Sequence, residues 1–144
     1  MTSDTIRLLN RLLAILCKSF PQYLQFSRPY VPAGHDDAMA VVAAVARDQQ
    51  AMADRISRLI VEADECPRPG EFPMQFTDTH DLSIDWVLKE AVRCQAEDVE
   101  AIAAIVDRLQ TAPAAKAAAE EALGMAKGHL ESLAEVADGA HSAS

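Results

Sequence analysis

Aromatic side chains are scarce in this chain, with one Trp, two Tyr and four Phe among 144 residues. Positive charge is short as well: 13 Lys and Arg face 22 Asp and Glu, a formal net charge of −9. An acidic chain repels phosphate backbones and anionic lipid, which excludes nucleic acid and membrane surfaces as first partners. Cysteine is limited to Cys17, Cys66 and Cys94. An odd, widely spaced set forms neither a disulfide framework nor a zinc motif, and suits reduced, structural thiols in a cytoplasmic protein. No apolar run is long enough to span a bilayer. Residues 1–6 lack the positive start and apolar stretch of a secretory signal. Glycine-rich phosphate loops are missing, and no Ser-His-Asp or Cys-His arrangement is legible from spacing.

What the chain does have is a 50% hydrophobic composition, enough for one domain with a sizeable core. Its apolar residues recur at helical spacing in four segments. The first, from Asp4 to Ser27, carries Leu9, Leu12, Leu16, Phe20 and Tyr23 on one face, with an interruption expected at Pro21. The second starts at the His35, Asp36 and Asp37 cluster and runs to about Glu65, with Val45, Gln49, Met52, Ile56, Leu59 and Ala63 inward. The third begins near Asp81 or Ser83, and its stripe reads Leu88, Val92, Gln95, Val99, Ile102, Val106 and Leu109. Pro113 opens the fourth, an alanine-rich helix with Ala115, Ala119, Ala122, Ala126, His129, Leu133 and Val136 inward. Residues 1–137 make the predicted domain, and the small, polar residues 138–144 are expected to fray as a flexible tail.

Loop lengths select the topology. Short connections predict antiparallel pairing of the first helix with the second and of the third with the fourth. The middle connection is roughly sixteen residues, which extended at about 3.3 Å each reach about 50 Å. A helix of about 26 residues is about 39 Å long. The connection can therefore run the length of the bundle and leave the second and third helices parallel. The expected fold is all-α, a four-helix bundle with one long crossover between helices two and three.

Short motifs carry a resemblance. Leu9-Asn10-Arg11-Leu12-Leu13 with Gln22-Tyr23 resembles the opening helix of bacterioferritins. Ala53-Asp54-Arg55 is similar to the segment that follows a ligand histidine in that family, and Gly128-His129 with Leu133 is similar to the segment around its last ligand histidine. The resemblance implies a ferritin-like bundle, whose di-iron site takes a glutamate from each of two helices and a Glu-x-x-His from each of the others. Carried over through the motifs, the ligand positions fall on Leu16, on Gln49 and Met52, on Gln95, and on Ala126 and His129. Of the six ligands only the histidine is retained.

Two irons need bridging carboxylates for charge balance and hard oxygen donors. Two amides, a thioether and one imidazole make a weak substitute, so no competent ferroxidase centre, no enzyme and no cofactor is expected, iron entering only under the metal-handling alternative below. The row instead reads as a hydrogen-bonded remnant, in which Gln49, Gln95 and His129, approached by Ser19 and Tyr23, satisfy one another or trap a water. Elsewhere Asp78, His80, Asp81 and Asp85 could hold a surface metal, although such residues more often cap a helix. Glu97, Glu100, Glu120, Glu121 and Glu131 read as a solvated acidic face.

The expected function is a ferritin-like, non-catalytic binding or assembly module, a homodimer or small homo-oligomer. Two alternatives stand beside it. One is an iron- or metal-handling relative, for storage or oxidative-stress protection, with a relocated site. The other is an inactive subunit that co-assembles with an active ferritin-like partner. The chain ends soon after its fourth helix, which argues against a large closed shell.

Overall fold

The computed structural model describes residues 1–26, 34–74, 76 and 83–142. Five helices and no strand lie among the described residues: α1 (Ser3–Cys17), α2 (Phe20–Phe26), α3 (Asp36–Glu62), α4 (Ile84–Arg108) and α5 (Pro113–Ser142). The all-α expectation holds.

The predicted first helix is two helices. Thr2 caps α1, its hydroxyl accepting the Thr5 N–H at 3.2 Å. Lys18 and Ser19 then leave helical conformation. Pro21 causes the break. In a continuous helix its ring would collide with the Cys17 carbonyl four residues back, whereas in the first turn of α2 its missing N–H costs nothing. Ser19 serves the new start, its carbonyl accepting Tyr23 N–H at 3.0 Å and its hydroxyl accepting Gln22 N–H at 3.4 Å.

Helix α3 begins within the acidic cluster, with Asp36 and Asp37 in its first turn and no side-chain bond from His35. It ends with Asp64 in left-handed conformation at φ 60°. Glu65 N–H reaches Ile60 carbonyl at 3.1 Å and Asp64 N–H reaches Val61 carbonyl at 2.9 Å, the paired bonds of a Schellman stop with aspartate in the usual glycine position. Ser83 caps α4 through Trp86 N–H at 3.3 Å. Helix α5 starts at Pro113 as the sequence predicts and continues to Ser142, beyond the Val136 end of its inward stripe. Alanine-rich composition sustains helix there, and Gly139 lowers propensity without stopping it.

Cross-helix bonds define direction. Ser19 meets Gln49 and Gln22 meets Ala46, so the chain leaving α1 runs opposite to α3. Asp48 meets His129 and Arg55 meets Glu121, which sets α3 and α5 antiparallel. Gln95 meets Ala126, and the short 109–112 joint turns α4 back as α5. Asp4 lies 3.9 Å from Arg108, while Ala14 and Lys18 share a cavity with Cys94 and Asp98, so α1 and α4 are antiparallel as well. By these relations α3 and α4 point the same way.

The segment after α3 lies along α1 and then α2. Arg68 N–H donates to Asn10 Oδ1 at 2.7 Å. Gly70, at φ +76°, comes so close to α1 that a Cβ there would stand 3.1 Å from Ala14 Cβ. Phe72 packs edge-on to Tyr23 and Phe26, and Phe76 against Phe20 and Tyr23, with centroids 5.0–5.8 Å apart.

Apolar burial forms two clusters. One joins Leu8 to Leu16 of α1 with Met52 to Ile60 of α3, Ile102 to Leu109, and Ala115 to Ala126. The other joins Phe20 and Leu24 with Ala38 to Val45, Phe76, Ile84 to Cys94, and Leu133. Each fully buried leucine or isoleucine contributes roughly 1.5–3 kcal/mol. Between the two clusters, at one level across the helices, lie the buried polar residues Ser19, Gln22, Gln49, Gln95 and His129.

Candidate functional site

Leu16, Met52 and Ala126 are buried members of the first apolar cluster. Gln49 lies one helical turn from Met52, and His129 one turn from Ala126, on the same faces. Gln95 is 1% exposed and donates from Nε2 to the Ala126 carbonyl at 3.1 Å. The Gln95–Ala126 and His129–Asp48 bonds bring Gln49, Gln95, Ala126 and His129 to neighbouring turns of α3, α4 and α5.

They do not form the mutual hydrogen-bond network the sequence suggests. Gln49 turns towards the α1–α2 break, where its Oε1 accepts from Ser19 Oγ at 2.8 Å and from Gln22 Nε2 at 3.4 Å. Gln22 Nε2 also donates to Ala46 carbonyl at 2.6 Å. Gln95 bonds backbone, and its Oε1 is a buried acceptor with no partner among the described residues. His129 turns outward: Nε2 lies 2.9 Å from Oδ2 of Asp48, whose side chain is 61% exposed. A carboxylate can only accept, so Nε2 carries the proton, and in the neutral ring Nδ1 is left as a buried acceptor. Tyr23 does not join the level; its ring packs between Phe72 and Phe76. The break at Pro21 explains both departures, because it hands Ser19 and Gln22 to Gln49 and turns Tyr23 to the 72–76 segment.

Two irons do not fit this donor set. Gln49 Oε1 already accepts two bonds. That leaves Gln95 Oε1 and His129 Nδ1, one amide oxygen and one ring nitrogen, too few donors to hold two metal ions. Among the described residues, no carboxylate belongs to the buried polar set. Among the described residues, no group of three His, Cys, Asp or Glu side chains is placed to hold a metal ion.

Of the surface candidates, Asp78, His80 and Asp81 lie outside the described residues. Asp85 stands in the first turn of α4, half-buried, with Oδ1 buried and unpartnered among the described residues. The predicted acidic face is exposed throughout, and ion pairs join Glu97 to Arg93, Glu120 to Lys116 and Glu121 to Arg55. Cys94 is buried and Cys17 half-buried, as structural thiols are, but Cys66 is exposed.

Sequence reasoning missed Asp48 and Asp98, and named Gln22 only in a motif and not as a partner of Gln49. Asp98 lines a cavity of about 270 Å³ between α1, α4 and the 71–76 segment, beside Lys18, Cys94 and Phe76. Burial, helped by neighbouring Glu97, pushes its carboxyl up to about 7. Burial also pushes the Cys94 thiol up to about 12, with Glu90 adding to it. The one sequence signal for Asp98 is its place a turn after Gln95, at the margin of an inward stripe. No helix among the described residues is long and apolar enough to cross a membrane. Comparison with protein-family models and with curated proteins finds no match.

Proposed function

We propose that this chain is a ferritin-like four-helix bundle with one long crossover, in which the row that would hold two irons serves packing and hydrogen bonding instead. In this reading α1 with α2 forms the first bundle helix, and the connection between α3 and α4 is the crossover between the second and third. Two features support it: the antiparallel relations above, which leave α3 and α4 parallel, and the course of the 68–76 segment along α1 and α2. The protein acts as a non-catalytic binding or assembly module, and its commonest expected assembly is a two-fold dimer.

One observation carries the functional half. Gln49, in the place of a ligand glutamate, is 3% exposed, and its oxygen is held by Ser19 and Gln22 at the helix break. An oxygen committed to two donors is a structural acceptor, and its neutrality matches an interior with no counter-charge. Function follows from the site and not the fold, so a bundle with this row lacks ferroxidase chemistry. Aerobic mixing of the purified protein with Fe(II), followed by absorbance of ferric product, should give the rate of buffer alone. A rate well above it that disappears in His129→Ala overturns the reading. Sedimentation that returned monomer at every concentration would remove the assembly role.

A further inference from the structure

In a chain with a net charge of −9, three guanidinium-bearing residues line one groove. It is formed by the outer face of α1, where Arg7, Asn10, Arg11 and Ala14 follow at three- and four-residue intervals, and by residues 65–68 lying across that face. Its cavity is about 450 Å³, within the range of small-molecule sites. The far wall is fastened: Arg68 N–H donates to Asn10 Oδ1 at 2.7 Å, and Gly70 rests against Ala14.

The charges differ in their commitments. Arg7 is paired with Asp4 in the first turn of α1. Arg11 and Arg68 have no carboxylate partner among the described residues, although Glu65 lines the same groove. Two uncommitted guanidinium forks from opposite walls match the planar, bidentate geometry of carboxylate and phosphate oxygens. Ile6 and Ala14 supply apolar wall beside them, which suits an anion carried on an organic body and not a bare ion.

We propose that the groove between α1 and residues 65–68 binds a small organic oxyanion, a carboxylate or phosphate ester, between Arg11 and Arg68. The site stands apart from the mid-bundle row, and neither proposal depends on the other.

Cys66 provides a built-in reporter, an exposed thiol lining the groove, while Cys94 is buried and the half-buried Cys17 is replaced by serine, Cys17→Ser, in every protein compared. Thiol–disulfide exchange transfers one half of a disulfide reagent to Cys66 and releases the other half as thiolate. The test compares dianionic dithiobis(nitrobenzoate) with cationic cystamine, each rate divided by that of mercaptoethanol. The −9 charge taken alone favours the cationic reagent. The groove predicts at least about a tenfold preference for the anionic one, reduced about tenfold in Arg11→Gln/Arg68→Gln. Both substitutions are on the surface, and an unchanged melting curve verifies folding. In parallel, phenyl phosphate and benzoate are titrated into ¹⁵N-labelled protein. Saturable shifts of the Asn10, Arg11 and Arg68 amides with either ligand support the site and tell phosphate from carboxylate. A cationic preference in the exchange, an unchanged ratio in the double variant, or no amide shift with either ligand overturns it.

Discussion

Replacing Gln95 by glutamate restores the residue type a di-iron bundle would carry, and the surroundings of Gln95 fix what should follow. The side chain is 1% exposed, its Nε2 donates to the Ala126 carbonyl, and Oε1 has no partner among the described residues. A carboxylate placed there meets a carbonyl oxygen and no donor. The neutral acid can still donate its O–H to that carbonyl, so burial should raise the folded pKa well above the ordinary value of about 4.3, and buried glutamates reach about 8–9. For a carboxyl whose folded pKa is raised, the penalty is absent below the unfolded pKa and grows as pH rises towards the folded one. The slope is about 1.4 kcal/mol per pH unit, so Gln95→Glu should lose about 1.5 kcal/mol at pH 5.5 and about 3–4 kcal/mol at pH 7. Urea denaturation of variant and parent at pH 4, 5.5 and 7 measures the difference directly. The same change at Gln49 is the control. Its acceptor oxygen already faces Ser19 O–H and Gln22 N–H, both of which can serve a carboxylate, so Gln49→Glu should cost about 1.5–3 kcal/mol less than Gln95→Glu at pH 7. A loss at position 95 that does not change with pH, or an equal loss at both positions, would refute the reasoning.

Two further perturbations test the electrostatics and the helix stop. The raised carboxyl of Asp98 weakens the fold as pH climbs from about 4 towards its folded value of about 7. Asp98→Asn should therefore stabilise the protein at pH 8 by about 1–2 kcal/mol after allowance for solvent screening, with no gain at pH 4; thermal melts at both values decide it. Asp64→Gly relieves a left-handed aspartate at φ 60° and removes a negative charge from the negative end of α3, so it should add about 1 kcal/mol in urea denaturation. A loss of stability there would mean the Asp64 side chain has a role beyond the turn.

Helical periodicity located the three long helices α3, α4 and α5 but merged α1 and α2 into one. The start of α5 at Pro113, the start of α4 near Ser83, the acidic start of α3 and the inward faces of the long helices were legible because each rests on local spacing or terminal chemistry. The break at Lys18–Ser19 was half legible: Pro21 announces it, but its place depends on which carbonyl the ring would strike. Partner choice in the polar level was not legible. Spacing puts Gln49, Gln95 and His129 at one height, but side-chain direction decides that Gln49 meets Ser19, Gln95 meets backbone and His129 meets Asp48. The basic groove was hidden for a related reason, since Arg11 and Arg68 are distant in sequence and meet only because residues 65–68 lie back across α1.

The most direct test of the central claim is anaerobic Fe(II) titration of two proteins side by side, with bound iron counted per chain. One is the natural chain; the other carries Leu16→Glu, Gln49→Glu, Met52→His, Gln95→Glu and Ala126→Glu, with His129 kept. The account predicts no saturable binding by the natural chain and about two irons per chain in the variant, the count a di-iron bundle holds. Saturable iron in the natural chain, or none in a variant that circular dichroism shows to be folded, would contradict it.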